Sequence, residues 1–128
     1  MIRVVAVVGA GTMGSGIAQV CALSGFTTLL YDVRGEQVDA ALRSIDKSLL
    51  SAVDKGKLTE QKKSDTRKRI SAANALSDLK ADLVIEAAIE NLEIKQALFS
   101  ELEKINHPAT ILATNTSSIS ITKRVYPS

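Results

Sequence analysis

The sequence predicts an α/β domain built on a doubly wound, mostly parallel sheet, and three observations predict it. Short apolar runs bounded by turn residues alternate with longer stretches of helical periodicity, as parallel strands joined by crossover helices require. The first run, Val4-Val5-Ala6-Val7-Val8, feeds directly into Gly9-Ala10-Gly11-Thr12-Met13-Gly14, which opens a helix. A second apolar run closes on Asp32, 18 positions after Gly14. A G-x-G-x-x-G loop between strand and helix, trailed by an acid at about that distance, is the fingerprint of a Rossmann-type dinucleotide-binding unit.

Each element follows from local pattern. The opening strand covers 3–8, and the helix of 12–24 is stopped by Gly25. Thr27-Thr28-Leu29-Leu30-Tyr31 is β-branched and apolar, hence a strand over 27–31. A helix over 36–55 ends at Gly56, and Thr59 caps a short helix over 59–68. A short strand is expected near 70–72. Ala81-Asp82-Leu83-Val84-Ile85-Glu86-Ala87-Ala88 contains the clearest later strand, 82–86, followed by a helix over 91–105 and a strand over 110–114. Repeats and low-complexity tracts are lacking, so residues 1–128 are expected to form one domain.

Within the loop each glycine has a task. Gly9 permits the tight turn off the strand, Gly11 lets a pyrophosphate approach the backbone, and Gly14 lets the helix lie against the sheet. The phosphates would sit on the helix N-terminus, where unpaired N–H groups and the helix dipole favour an anion, so no loop lysine is required. An ordinary flexible turn is the alternative, and it leaves Asp32 unexplained. From the end of its strand Asp32 can accept both hydroxyls of an adenosine ribose and repel a 2′-phosphate, which favours NAD over NADP; Arg34, two residues on, is the residue that could reverse that preference. Asp32 can also be read as a cap for the helix starting near Gly35.

Composition narrows the function classes. With 45% apolar residues in 128, the chain can bury a core. A net charge of +2 and an aromatic content of 3% argue against a nucleic-acid partner. No apolar run reaches the roughly 20 residues of a membrane span, and no signal-peptide pattern opens the chain. The single cysteine, Cys21, reads as a small core residue, as suits a reducing compartment. A cytoplasmic protein with no membrane partner and no bound metal is the expectation. Charge is locally uneven: nine Lys/Arg face four acids between Arg43 and Arg69. That stretch can be a landing surface for a phosphorylated substrate or simply two solvated helices.

In a doubly wound sheet ligands gather outside the carboxyl ends of the strands. The polar residues following those ends are Glu90-Asn91-Leu92-Glu93-Ile94-Lys95 and Asn115-Thr116-Ser117-Ser118. Asn91, Ser117 and Ser118 read equally well as helix caps.

Through Val7 to Phe26 (VVGAGTMGSGIAQVCALSGF), Tyr31-Asp32, Ile85 to Glu103 (IEAAIENLEIKQALFSELE) and Ile111 to Lys123 (ILATNTSSISITK), the chain resembles the 3-hydroxyacyl-CoA dehydrogenases, including the 3-hydroxybutyryl-CoA dehydrogenases. The ENLEIK and NTSS segments carry more of the likeness than the glycine loop, which many oxidoreductases share. The resemblance implies NAD-linked interconversion of a 3-hydroxyacyl-CoA and a 3-ketoacyl-CoA in fatty acid metabolism. It implies that Gly9, Gly11, Thr12, Met13, Gly14 and Asp32 line the adenosine and pyrophosphate. Glu90, Lys95 and Asn115 would then lie near the nicotinamide ribose and ring, Ser117 would hydrogen-bond the reacting oxygen, and Ser48 and Lys55 would hold CoA. The family's general-base histidine, its glutamate partner and its dimer-forming helical domain follow beyond the matching segments and are absent from these 128 residues. His107, the single histidine, lies in the turn Asn106-His107-Pro108. It is expected at the opposite rim, so this chain is expected to bind cofactor without turnover. A non-catalytic dinucleotide-binding module and a dehydrogenase of free 3-hydroxy acids are the rival readings.

Overall fold

A computed structural model describes residues 1–87 and 91–114. Its five strands, β1 (Val4–Val8), β2 (Thr27–Tyr31), β3 (Ile70–Ala72), β4 (Leu83–Glu86) and β5 (Ile111–Thr114), form one sheet in the order β3-β2-β1-β4-β5. Every pairing among them is parallel, with Val8 beside Tyr31 on one side and Glu86 on the other, and Glu86 beside Thr114. The helices are α1 (Thr12–Leu23), α2 (Gly35–Asp54), α3 (Glu60–Lys68) and α4 (Leu92–Ile105). These bounds match the sequence reading to within a residue. The one addition is a 3-10 turn over Leu76–Asp78, too short to show a period.

Alternation along β1 sorts the core. Val5 and Val7 pack with Ala18 and Ala22 of α1 and Ile45 and Leu49 of α2, whereas Ala6 and Val8 pack with Leu98, Phe99 and Leu102 of α4. Both faces of the sheet are therefore covered, as an all-parallel sheet demands. Cys21 is half-buried against the first cluster, and burial pushes its thiol up from the ordinary value. Local caps set the helix starts: the Thr59 hydroxyl accepts the Lys62 N–H and the Asn91 side chain accepts the Ile94 N–H, each at 3.0 Å. Asp82, at the start of β4, accepts the N–H groups of Arg3 and Val4 at 2.9 Å each and so fixes where β1 begins.

Candidate functional site

The glycine loop joins the carboxyl end of β1 to α1. Gly9 has φ +106°, a left-handed conformation that favours glycine, and its N–H donates to the Tyr31 carbonyl at 2.7 Å. Gly14 lies where a Cβ would stand 1.6 Å from the Gly9 carbonyl oxygen, so the close approach of helix to loop excludes any side chain there. Around Gly11 the situation is reversed. A Cβ at Gly11 would meet no atom within 4 Å, leaving open space directly above the start of the helix. Gly11 is also the N-cap residue of α1, which has no side-chain cap and no acid in its first turn. Thr12 and Met13 stand exposed in that turn. An anion with a flat backbone approach fits this cradle, and the lack of a competing cap or acid favours it.

Asp32 faces the loop from the end of β2. One carboxylate oxygen accepts the Ala10 N–H at 2.8 Å and the other accepts the Arg34 N–H at 2.9 Å. Asp32 thus ties the loop to the start of α2. The cap position of α2 itself belongs to Arg34, so the helix-cap reading of Asp32 gives way to this bridging role. Beside Asp32 opens a cleft of about 710 Å³ walled by Gly9, Val33, Leu76, Ile94 and Leu98. Val33 and Ile94 remain well exposed on its lips, as suits a flat apolar ring bound between them.

Farther along the rim, at the ends of β4 and β5, Glu86 and Lys95 are both fully buried. The Lys95 Nζ stands 2.9 Å from Glu86 Oε1 and donates to the Thr114 hydroxyl at 2.9 Å; that hydroxyl donates to the same Glu86 oxygen. Sequence reasoning missed Glu86 and Thr114. The available signal was a glutamate closing an otherwise apolar strand with a lysine nine residues on, since such charges are almost never fully buried unpaired.

The remaining expected positions spread apart. Ser48 is exposed and accepts from Gln19 Nε2 at 2.9 Å, and Lys55 is the exposed C-cap of α2. Neither lines the cleft beside Asp32. Part of the basic stretch is structural: Arg67 pairs with Asp46 at 2.7 Å, and Arg69 donates to the Ala22 carbonyl at 3.0 Å. His107 is exposed before β5, at the rim opposite the loop as expected, with Nδ1 accepting the Ala109 N–H. Glu90, Asn115 and Ser117 lie outside the described residues. Among the described residues no helix is long and apolar enough to cross a membrane.

Strand order, glycine cradle and bridging aspartate together define a Rossmann-type dinucleotide-binding domain. The family described as "3-hydroxyacyl-CoA dehydrogenase, NAD binding domain" matches residues 4–125, and the chain belongs to that family; its cofactor is NAD. It is 49% identical over 122 residues to the 3-hydroxyadipyl-CoA dehydrogenase of Escherichia coli, covering 94% of this chain and 26% of that protein. To the 3-hydroxybutyryl-CoA dehydrogenase of Bradyrhizobium diazoefficiens it is 44% identical, covering 96% of this chain and 42% of the relative. Among solved structures, a 3-hydroxybutyryl-CoA dehydrogenase from Escherichia coli superposes with a TM-score of 0.93 at 46% identity, over 99% of this chain and 28% of the other. The chain therefore spans less than half the length of these relatives.

Proposed function

We propose that residues 1–128 form the cofactor-holding domain of an NAD-linked dehydrogenase that interconverts 3-hydroxyacyl-CoA and 3-ketoacyl-CoA, with 3-hydroxybutyryl-CoA the favoured substrate class. The observation that carries this is the cradle: open space at Gly11, helix pressed on Gly9 at Gly14, and Asp32 bridging to the loop. The names of the relatives support a 3-hydroxyacyl-CoA substrate, and those of the Bradyrhizobium relative and the Escherichia coli structure the 3-hydroxybutyryl form.

When bound, NAD supplies the hydride acceptor. The chain's own residues bind and orient. Gly9, Gly11, Thr12, Met13 and Gly14 would take the pyrophosphate, and Asp32 the adenosine ribose. Glu90 and Asn115 would serve the nicotinamide end, backed by Lys95 where it lies buried against Glu86 and Thr114. Ser117 would serve the reacting oxygen, and Ser48 and Lys55 the CoA. Proton abstraction from a hydroxyl calls for a base near neutrality, and the one histidine sits at the opposite rim. These residues therefore bind cofactor without substantial turnover. The lone cysteine suits a cytoplasmic setting.

The test is fluorescence titration of the 128-residue chain. NADH should bind more tightly than NADPH, and NADH consumption with acetoacetyl-CoA should stay near background. Equal or tighter NADPH binding would shift the selectivity to Arg34. Turnover within about tenfold of a full-length relative would reveal a base among these residues, since general acid–base assistance is typically worth ~10²–10⁴-fold.

A further inference from the structure

Strand order reverses direction between β1 and β4, and a dinucleotide bound at such a switch point crosses from one half of the sheet to the other. Asp32 and the glycine loop occupy the β1–β2 side, and the apolar cleft beside them runs across to Ile94 and Leu98 of α4, so the second half of the ligand would lie over the ends of β4 and β5. The side chains that close those ends are Glu86, the last residue of β4, and Thr114, the last of β5, which are register partners. Lys95 reaches both from the first turn of α4. That is an expensive place for an ammonium. The positive end of the helix opposes it, a long flexible stem is immobilised, and full burial removes its water. An apolar side chain of similar volume would fill the space without those costs. What the ionic triangle adds is one fixed geometry joining two strand ends to one helix start.

We propose that Glu86 is a positioning residue for the second half of the dinucleotide: with Thr114 it pins Lys95, and through it the start of α4, to the ends of β4 and β5, so that this part of the rim is set before cofactor arrives. The inference rests on the dinucleotide reading of the preceding section. Its signature is selective, because AMP carries only the adenosine half whereas NADH needs both.

The experiment measures NADH and AMP affinity and the melting temperature of the 128-residue chain, of Glu86→Gln, and of a Glu86→Leu/Lys95→Met double variant that keeps the core filled. NADH affinity should fall about tenfold or more in both variants, the scale of a lost hydrogen bond to a charged group. AMP affinity should fall by less than NADH affinity, because the glycine loop and Asp32 hold the adenosine half and only the Ile94 and Leu98 wall of its cleft belongs to α4. The double variant should melt no lower than the parent chain, which keeps the test decisive should Glu86→Gln fail to fold. NADH binding by the double variant at parental strength would overturn the proposal, since packing alone would then suffice. So would a parallel loss of NADH and AMP in every variant that folds, which is general loosening. A parent chain that binds neither nucleotide would instead bring down the dinucleotide reading, and this inference with it.

Discussion

The two halves of the ligand rim are built from different materials. On the β1–β2 side the site is main chain: a left-handed Gly9, an open Gly11, a Gly14 laid on a carbonyl, and an aspartate that holds backbone N–H groups. On the β4–β5 side it is side chain: a carboxylate, an ammonium and a hydroxyl sealed from solvent. The first half presents exposed backbone to a ligand, whereas the second stiffens the frame on which a ligand rests. A substitution that only blocks the exposed backbone of the first half should accordingly cost affinity alone, whereas one that strands a buried charge in the second should cost stability as well, and their relative sizes measure how far that division holds.

The largest effect is expected where a buried charge loses its partner. Lys95→Met leaves the Glu86 carboxylate buried without the ammonium, and breaking such a pair typically costs about 3–5 kcal/mol. Denaturant titration would show it. A loss under about 1 kcal/mol would mean that water reaches the triangle and that the contrast between the halves is overdrawn.

Next come the glycines, which separate the two kinds of cost within one loop. Gly14→Ala places a carbon 1.6 Å from the Gly9 oxygen, backbone against backbone, so the loop must move; overpacking typically costs about 1–3 kcal/mol and here should reach the upper end, with NADH binding lost as well. Gly11→Val should leave circular dichroism native and melting nearly unchanged, because its new side chain meets no protein atom within 4 Å at the Cβ. It should nonetheless abolish NADH binding. Native affinity in Gly11→Val would remove the phosphates from this loop.

The same division explains what could be read from sequence. A backbone-built site leaves a local trace, because glycines at fixed spacing and an acid at the end of the next strand are set by the path of the chain itself. Strand and helix bounds were legible for a related reason: glycine stops and Thr59 and Asn91 caps are short-range chemistry. The Glu86–Lys95–Thr114 triangle spans up to 28 residues and depends on the pairing of β4 with β5 and on the seating of α4. The strand-closing glutamate and the lysine nine residues on hint at a buried pair, but its closure with Thr114 is set by tertiary packing, which no local pattern encodes. The apolar cleft was hidden for the same reason, since Val33, Leu76 and Ile94 meet only after folding. Family resemblance supplied positions such as Ser48 and Lys55, whose neighbours in the structure do not by themselves declare a ligand.

A smaller and more pointed contrast lies between two carboxylates that use one device at opposite rims. Asp32 and Asp82 each accept two backbone N–H groups, Asp32 beside the glycine loop and Asp82 at the start of β4. Asp32→Ala should cost about 1 kcal/mol, mainly by stranding the buried Ala10 donor while water takes up the exposed Arg34 N–H, and it should weaken NADH as well. Asp82→Asn should leave NADH affinity untouched, because the residue stands at the far end of the strands from the cradle. What it should change is the response to acid. The Val4 and Arg3 N–H groups, bonded to its carboxylate, hold the Asp82 pKa below the ordinary carboxylate value. A lowered folded-state pKa means stability that is fully present above the ordinary carboxylate range and is lost as pH falls through the lowered value. Melting curves taken from neutral pH down through the carboxylate range should therefore converge, with Asp82→Asn below the parent chain at neutral pH and the gap closing in acid. A constant gap at every pH would show that the Asp82 contacts act as neutral hydrogen bonds. Weaker NADH binding in Asp82→Asn would show that the two rims are coupled through β1, which begins at the Asp82 contacts and runs to Val8, next to Gly9.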